Sequence, residues 1–451
     1  MNIVLVVIDT LRADHLSCYG YFRETSPTID RLAKEGVLFE NSYAAGIATG
    51  PGFTSIITGL YPIRSKYYIT PWNVPNTYQL DDNIPVLAEI LWDHRYTTAA
   101  FDNLINFRSH PKHFVRGYEY YVNVTRTSKW LHHHIIGREL NARLIPWIKQ
   151  HAYEKFFLFI HYWDPHMPYN MPVGFDRVFR HKKGDLSDLK VVKTEAGYDY
   201  VPGWGKADEI FEGDEEKSID LYDCEIFYVD HCLAQVINTL EDLRILDDTL
   251  IIITSDHGEQ LGQHGLYGHA GLHEAVIKIP LIIRYPPKVP KGVRVKEYAQ
   301  QVDIVPTILD LAGIKVDYQF DGESLMKLIN GGKIREYAVS ETWGERAIID
   351  CDWKLIVHYP KELERPGPEL KSIIELAKKK GELGFELYNI RKDPAEVINL
   401  ADTEQTILDN LLNKLNEWIK AHLKPGEKDP MEELDKYYMP QPLEYQKLQT
   451  A

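Results

Sequence analysis

Two short runs of apolar residues, far apart in the chain, constrain the fold more than any other feature. Ile3 to Ile8 and Thr249 to Thr254 consist mainly of branched side chains, with no alternation of polar and apolar positions. Such runs are typical of strands buried on both faces, as in a parallel sheet covered by helices. Asp9 follows the first run at once, and Asp256 and His257 follow the second within three residues. The sequence therefore predicts that carboxylate and imidazole groups meet at one edge of a sheet.

These three side chains are of the types that bind divalent cations in proteins. Taken alone, Asp256 and His257 would also fit a loop aspartate that forms a turn beside an exposed histidine. Their place after a buried strand, and the matching position of Asp9, favour metal ligation. We therefore predict a metal site formed by Asp9, Asp256 and His257 that supports metal-assisted chemistry.

Further apolar runs alternate with helical patterns along the first part of the chain. Tyr96 to Phe101, Lys155 to His161 and Lys278 to Arg284 are strand candidates. A helix is predicted after Ser26, where Pro27 suits the first turn and Gly36 ends the pattern. This alternation predicts an α/β/α sandwich with a mixed, mostly parallel sheet. Ligands of such sheets gather beyond the carboxyl ends of the strands.

Changes in pattern suggest a division of the chain into parts. Residues 1–332 form the predicted catalytic domain, in which 175–217 is a polar, charged insertion that overhangs the site. Short alternating segments and an amphipathic helix at about 403–423 then predict a small C-terminal α+β subdomain over 333–424. The tail, 425–451, is either loose or strapped onto a neighbour, which makes it a candidate contact in a homo-oligomer.

Composition narrows the range of partners. The 451 residues carry a formal net charge of −15, which argues against a basic nucleic-acid-binding face and against attraction to anionic lipid. No apolar run approaches the roughly 20 residues that span a bilayer. The first strand starts directly after Met1 and Asn2 with no charged leader, so we expect a cytoplasmic protein that acts on a small anionic ester.

Several longer motifs carry a resemblance to a known family. They are Val6-Val7-Ile8-Asp9-Thr10-Leu11-Arg12-Ala13-Asp14, Thr58-Gly59-Leu60-Tyr61-Pro62, Asp164-Pro165-His166-Met167-Pro168-Tyr169, Thr254-Ser255-Asp256-His257-Gly258-Glu259, Leu261-Gly262-Gln263-His264-Gly265-Leu266 and Glu386-Leu387-Tyr388-Asn389. With these motifs the chain resembles the sulfatase-like branch of the alkaline phosphatase superfamily over nearly its whole length. The resemblance implies an alkaline-phosphatase-like fold and a metal-dependent ester hydrolase.

The nucleophile position departs from the sulfatase pattern. Sulfatases have a Cys or Ser that matures to formylglycine, followed by Pro at the third position and Arg at the fifth. Counting back from the Thr-Gly pair that ends the signature places Thr49 at the nucleophile, Pro51 at the proline and Phe53 at the arginine. Threonine cannot be matured to formylglycine.

This difference favours phosphorus over sulfur. The second hydroxyl of formylglycine lets a sulfated intermediate collapse by elimination, whereas a sulfated threonine would need attack by water on a poorly electrophilic sulfur. A metal-activated Thr49 would instead form a phosphothreonine that water later opens. Gly50 and Pro51 favour a helix that begins at this point, and its N-terminal N–H groups suit an anion. The simpler alternative is that Thr49 only caps a helix.

The resemblance also implies that Thr49 is the fourth metal ligand. Thr10 stands where many sulfatases have a second aspartate, so fewer carboxylates are available. One divalent ion is expected, with zinc or manganese preferred and calcium or magnesium as alternatives. The Asp-x-x-x-His pair of two-metal relatives is missing, although His264 and His269 leave room for a second ion.

Two histidines are the remaining catalytic candidates. His166, in Asp-Pro-His, matches a family histidine, and His269 occupies the place of a family lysine. We expect them to contact the transferred group or to protonate the leaving oxygen. A simple turn is the alternative for His166. The Lys-Trp-His of sulfatases is replaced around Asp102, which removes two sulfate-contacting groups.

The predicted function is hydrolysis of phosphoric diesters or phosphonate monoesters through a phosphothreonine. A sulfatase that uses threonine directly is the competing enzymatic hypothesis. A degenerate member that binds a ligand without turnover is the third hypothesis.

Overall fold

The computed structural model describes residues 1–68, 80–102, 112–124, 137–167, 169, 171–172, 174–179, 192–193, 199–200, 215–269, 271–359 and 384–432. Its strands are β1 (Asn2–Ile8), β2 (Val37–Tyr43), β3 (Thr97–Asp102), β4 (Tyr120–Asn123), β5 (Phe156–Tyr162), β6 (Val192–Lys193), β7 (Asp199–Tyr200), β8 (Thr249–Thr254), β9 (Gln260–Leu261), β10 (Tyr267–Gly268), β11 (Leu281–Arg284), β12 (Val293–Gln300), β13 (Ala338–Thr342), β14 (Glu345–Asp350), β15 (Trp353–His358) and β16 (Gly384–Asn389). Most of the predicted insertion and the tail beyond residue 432 lie outside the described residues.

The α-helices are α1 (Pro27–Glu35), α2 (Thr49–Thr58), α3 (Pro62–Ser65), α4 (Leu87–Asp93), α5 (Gly137–His151), α6 (Glu215–Asp242), α7 (Glu274–Ile277), α8 (Ile304–Ala312), α9 (Met326–Ile329) and α10 (Gln405–His422). Within the described ranges, none of them combines the length and apolar character needed to cross a membrane.

The main sheet has eight strands in the order β12-β2-β11-β8-β1-β5-β3-β4. Only β11 runs against the others, since it pairs antiparallel with both β2 and β8 while the other pairs are parallel. Sequence-distant strands lie side by side at the centre, where β1 pairs with β5 on one edge and β8 on the other. The predicted mixed, mostly parallel α/β/α sandwich is confirmed.

Alternate residues of β1 enter two different cores, which explains why the strand is apolar throughout. Val4, Val6 and Ile8 pack in a cluster with side chains of α1, α5 and α6. Ile3, Leu5 and Val7 point to the opposite face, where α2, α4 and α8 supply the packing partners. Burial on both faces requires apolar residues at successive positions and so gives an uninterrupted run.

Strand boundaries differ slightly from those expected. The runs predicted from residues 96 and 155 begin one residue later, at Thr97 and Phe156. The run predicted from Lys278 is shorter, because the strand begins at Leu281. Pro280 has no N–H to donate to a sheet ladder, so it is the residue just before the strand.

A second, four-stranded antiparallel sheet has the order β13-β14-β15-β16. One face packs against α10. The other face packs against Tyr43, Ile47, Leu272 and neighbouring residues of the first unit. The division near residue 332 stays a prediction, but this contact brings the second sheet close to the residues that precede Thr49.

A buried arginine connects the end of the described chain to this second sheet. Arg346 of β14 is completely buried and donates hydrogen bonds to Glu341 at 2.8 Å and to Asp429 at 2.7 Å. Glu341 also accepts a hydrogen bond from the Ile63 amide at 3.0 Å. The network therefore joins β13, β14, α3 and the segment near residue 430.

Candidate metal centre and active site

Sheet topology brings the three predicted metal ligands together. β1 and β8 are parallel neighbours in register, so both end at the same edge of the sheet. One ligand atom from each of Asp9, Asp256 and His257 lies within 4.8 Å of the others, and all three side chains are fully buried. The structure thus places two carboxylates and an imidazole in a single buried cluster.

Each carboxylate in the cluster has one occupied oxygen and one open oxygen. Oδ1 of Asp256 accepts hydrogen bonds from the amides of Thr10 at 3.1 Å and His257 at 2.9 Å. Oδ2 of Asp9 lies 3.2 Å from Nε2 of His161. The other two oxygens, Oδ1 of Asp9 and Oδ2 of Asp256, are buried without a hydrogen-bond partner in the part of the chain that the structure describes. Buried anionic oxygens of this kind are costly unless a cation compensates them.

The hydrogen bonding of His257 makes its other nitrogen available as a ligand. Nδ1 lies 2.9 Å from the carbonyl oxygen of Gly258, which can only accept, so Nδ1 carries the hydrogen. Nε2 therefore has a free lone pair in the neutral ring. It lies 3.4 Å from Oδ2 of Asp256 and 3.2 Å from Oγ1 of Thr49. This donor set fits a divalent cation.

Thr49 is the first residue of α2, as the sequence predicted. Its side chain is buried, and the helix behind it has ten residues, all of them buried. The free N–H groups and the positive end of the helix dipole therefore face the region of the hydroxyl. Gly52, one turn later, packs tightly against Asp256, since a Cβ added there would lie 2.8 Å from the carbonyl oxygen of that residue.

Hydrogen bonds from two residues distant in sequence, Gln301 and Tyr222, fix the loops that carry the candidate ligands. The amide of Gln301 donates to the carbonyl oxygens of Ser255 at 3.0 Å and Asp256 at 2.6 Å, and its oxygen accepts from the Ala45 amide at 2.9 Å. On the other side, the Tyr222 hydroxyl donates to the carbonyl of Thr10 at 2.7 Å. The loops that carry the candidate ligands are thus fixed by groups that are far away in sequence.

The cluster concentrates negative charge in a buried place. Burial and the nearby Asp256 raise the pKa of Asp9 to about 6, although His161 opposes this shift. Burial, followed by the charge of Asp9, also raises the pKa of Glu259 well above its usual value. A bound cation would relieve this repulsion, because it would be the largest local charge in the site.

The two predicted catalytic histidines lie beside the cluster. The His269 ring is 4.6 Å from that of His257 between centroids, and the His166 ring is 5.4 Å from that of His269. Burial, together with His257, lowers the pKa of His269 to about 3, so this ring is neutral. The structure therefore brings Asp9, Thr49, His166, Asp256, His257 and His269 into one neighbourhood, while their roles stay predictions.

One residue beside the candidate metal cluster, His161, was not predicted from the sequence. His161 of β5 is fully buried, and its Nδ1 lies 2.6 Å from Oδ1 of Asp102 while its Nε2 faces Asp9. Asp102 also accepts a short hydrogen bond from the Tyr121 hydroxyl. A lone imidazole inside the otherwise apolar and aromatic strand Phe156–Tyr162 was the available signal.

Phe53 occupies the position of the family arginine and is buried. Its ring packs against the His161 ring at 4.7 Å between centroids and against Phe159 at 5.6 Å. No guanidinium therefore stands at this position, which distinguishes the site from the sulfatase pattern.

Comparisons with known proteins place the chain among the sulfatases and their relatives. Residues 1–314 match the family model described as Sulfatase, and residues 262–423 match the model described as N-sulphoglucosamine sulphohydrolase, C-terminal. The chain is 24% identical over 428 residues to the multifunctional alkaline phosphatase superfamily protein PehA of Trinickia caryophylli, covering 79% of each chain. It is also 24% identical over 465 residues to the choline-sulfatase of Rhizobium meliloti, covering 90% of this chain and 84% of the relative.

Solved structures show the same fold. The phosphonate monoester hydrolase of Agrobacterium radiobacter superposes with a TM-score of 0.73 at 22% identity, and the match covers 94% of this chain and 96% of the other. The match therefore supports the architecture described above.

Proposed function

Because this chain belongs to the sulfatase family of alkaline-phosphatase-like hydrolases, we propose that it hydrolyses phosphoric diesters or phosphonate monoesters through a covalent phosphothreonine at Thr49. The observation that carries the proposal is the place of the Thr49 hydroxyl. It lies at the start of a buried helix, 3.2 Å from the nitrogen of His257 that is free to bind a metal.

The donor set supports a single metal ion held by Asp9, Asp256, His257 and Thr49. Each carboxylate offers one open oxygen, the imidazole offers Nε2 and threonine offers its hydroxyl. Four ligands that include a nitrogen suit zinc or manganese better than calcium, which takes six to eight oxygens. When bound, the ion would lower the pKa of the Thr49 hydroxyl and draw charge from the ester oxygen.

The residues of the chain would then carry out an in-line displacement. Oγ1 of Thr49, once its proton has passed to solvent, forms a bond to phosphorus as the bond from phosphorus to the leaving oxygen breaks. The N–H groups at the start of α2 would receive the phosphoryl oxygens. His269, whose ring is neutral, is the proposed contact for the transferred group, and His166 is the proposed source of a proton for the leaving oxygen. Water then attacks phosphorus, the bond between phosphorus and Oγ1 breaks, and Oγ1 takes up a proton, which restores the Thr49 hydroxyl.

The charge of the site favours a monoanionic substrate. Phe53 stands where an arginine would bind a second anionic oxygen, and both nitrogens of His161 are engaged by carboxylates. Fewer cationic groups are thus available to balance the dianion of a phosphate monoester. Among proteins with this fold, one neighbour is a phosphonate monoester hydrolase.

Direct sulfate hydrolysis by Thr49 is the competing function, because the choline-sulfatase of Rhizobium meliloti is among the relatives. A threonine lacks the second hydroxyl through which formylglycine releases sulfate, so we expect this activity to be slower.

A comparison of four substrates tests the proposal. Bis(p-nitrophenyl) phosphate, p-nitrophenyl phenylphosphonate, p-nitrophenyl phosphate and p-nitrophenyl sulfate are assayed with zinc or manganese for the wild type and Thr49→Ala. We expect the diester and phosphonate to be preferred, and Thr49→Ala to lower kcat by at least about 10³-fold. Thr58→Ala is the matched control, since it removes the same side chain from the other end of α2.

Two observations would decide against the proposal. Preferred turnover of the sulfate would move the enzyme to the sulfatases, and absence of turnover on all four esters would support a binding protein. Detection of a p-nitrophenylphosphoryl group (from the diester) or a phenylphosphonyl group (from the phosphonate) on the Thr49 peptide by mass spectrometry after rapid acid quenching would directly establish the covalent step.

A further inference from the structure

His161 lies between two carboxylates that come from different strands. Its Nε2 is 3.2 Å from Oδ2 of Asp9 on one side, and its Nδ1 is 2.6 Å from Oδ1 of Asp102 on the other. All three side chains are almost completely buried. Because the arrangement uses both ring nitrogens, His161 has no nitrogen left to contact a substrate.

The contact with His161 gives the two carboxylate oxygens of Asp9 different surroundings. Oδ2 faces His161, whereas Oδ1 is buried with no hydrogen-bond partner among the described residues. An unconstrained carboxylate could turn to offer both oxygens to a cation. A donor fixed against Oδ2 prevents this rotation and leaves Oδ1 as the single ligand atom.

The imidazole is itself held in place. Asp102 ends β3, which pairs in parallel with β5, so its position relative to His161 is set by the sheet. The Tyr121 hydroxyl, from the next strand, donates to Asp102. The Phe53 ring packs edge-on against the imidazole at 74° between planes. The ring therefore cannot swing away without disrupting the packing against α2.

From this geometry we propose that the Asp102 and His161 pair is a positioning device that keeps Asp9 as a one-oxygen metal ligand. The inference rests on the metal site of the proposed function but concerns residues outside the ligand set. It predicts that His161 acts on metal affinity and coordination and makes no contact with the ester.

Metal binding to the metal-free protein provides the test. The dissociation constant for Zn²⁺ is measured by competition with a chelating dye, for the wild type, His161→Phe, His161→Gln and Asp102→Asn. Loss of an outer-shell partner typically weakens metal binding about 10- to 100-fold, and we expect this loss for His161→Phe. His161→Gln, whose amide can still donate toward Asp9, is expected to recover part of the affinity.

His358 offers a matched control elsewhere in the molecule. It is also a buried imidazole between two carboxylates, with Nε2 at 2.9 Å from Glu386 and Nδ1 at 3.4 Å from Glu345. His358→Phe should reduce stability but leave the Zn²⁺ affinity within about twofold of the wild type. The visible absorption of bound Co²⁺ adds a readout of ligand number, which should change for His161→Phe and not for His358→Phe.

The outcomes separate this inference from the proposed function. If the wild type binds neither Zn²⁺ nor Mn²⁺, both fail together. If the wild type binds Zn²⁺ and the His161 and Asp102 variants bind it equally well, only the positioning role is overturned. Equal loss of affinity in the His358 variant would also overturn it, because the effect would then be general destabilisation. Should His161→Phe fail to fold, His161→Gln and Asp102→Asn decide the matter.

Discussion

Substitution of Gly52 by alanine tests whether the packing of α2 sets the position of the candidate metal ligand Asp256. The new Cβ would lie 2.8 Å from the carbonyl oxygen of Asp256, 3.2 Å from its Cβ and 3.2 Å from the carbonyl oxygen of Gly46. Favourable carbon contacts begin near 3.5 Å, so relief of these contacts requires the helix and the Asp256 loop to separate by roughly 0.3–0.7 Å. All three contacts are with backbone atoms or with the candidate ligand Asp256, and Gln301 holds the Asp256 loop in place.

The expected effect is larger on metal binding than on stability. Overpacking costs about 1–3 kcal/mol, but alanine in a helix is favoured over glycine by about 1 kcal/mol, so the net loss is about 0–2 kcal/mol. A shift of half an ångström between Thr49 and Asp256 changes the relation of two proposed ligands. We therefore expect Zn²⁺ affinity and kcat to fall by about tenfold or more.

Urea unfolding of the metal-free protein and Zn²⁺ titration measure the two effects separately. Ser55→Ala is the control, because it lies on the same helix and removes a buried hydroxyl that has no hydrogen-bond partner among the described residues. It should leave both quantities close to those of the wild type. If Gly52→Ala binds Zn²⁺ as tightly as the wild type, the ligand positions do not depend on this contact and the reasoning is refuted.

Two further predictions concern the second sheet. Burial lowers the pKa of His358, but the nearby carboxylates of Glu345 and Glu386 outweigh it and raise the pKa to about 10. The folded state therefore binds this proton more tightly than the unfolded chain, so its contribution to stability is full below about pH 6.5 and is lost as pH rises toward 10. The stability of the wild type in urea should fall over this range, and His358→Gln should flatten the profile; a parallel decline in both proteins would contradict the assignment. Arg346→Met leaves buried carboxylates without their positive partner and should lower the free energy of unfolding in urea by about 3–5 kcal/mol. Arg391→Met, at an exposed ion pair, should lower it by less than about 1 kcal/mol. Equal losses in the two variants would show that burial does not set the energy of these ion pairs.

Local pattern was a good guide wherever a strand is buried on both faces. β8 has the predicted bounds, and β1 extends its predicted run by one residue. β2 was missed because Val37–Tyr43 includes Glu40, Asn41 and Ser42 in its centre. β12 was missed because an edge strand exposes polar residues on one side, as in Val293–Gln300. The periodicity of apolar residues and the amino-acid composition identify a strand only when the burial of its side chains follows one pattern along its whole length.

The sequence by itself determined the family, the α/β/α fold and the identity of the candidate ligands Asp9, Asp256 and His257, because each follows a recognisable strand or motif. The tertiary structure alone decided which oxygen of Asp9 is open, which nitrogen of His257 is bare and what His161 contacts. These properties depend on partners distant in sequence: His161 is 152 residues from Asp9 and 59 from Asp102. To assign the hydrogen-bond partners of a side chain, one must know which strands are neighbours in the sheet. The pattern of residues along a short segment of sequence does not contain that information.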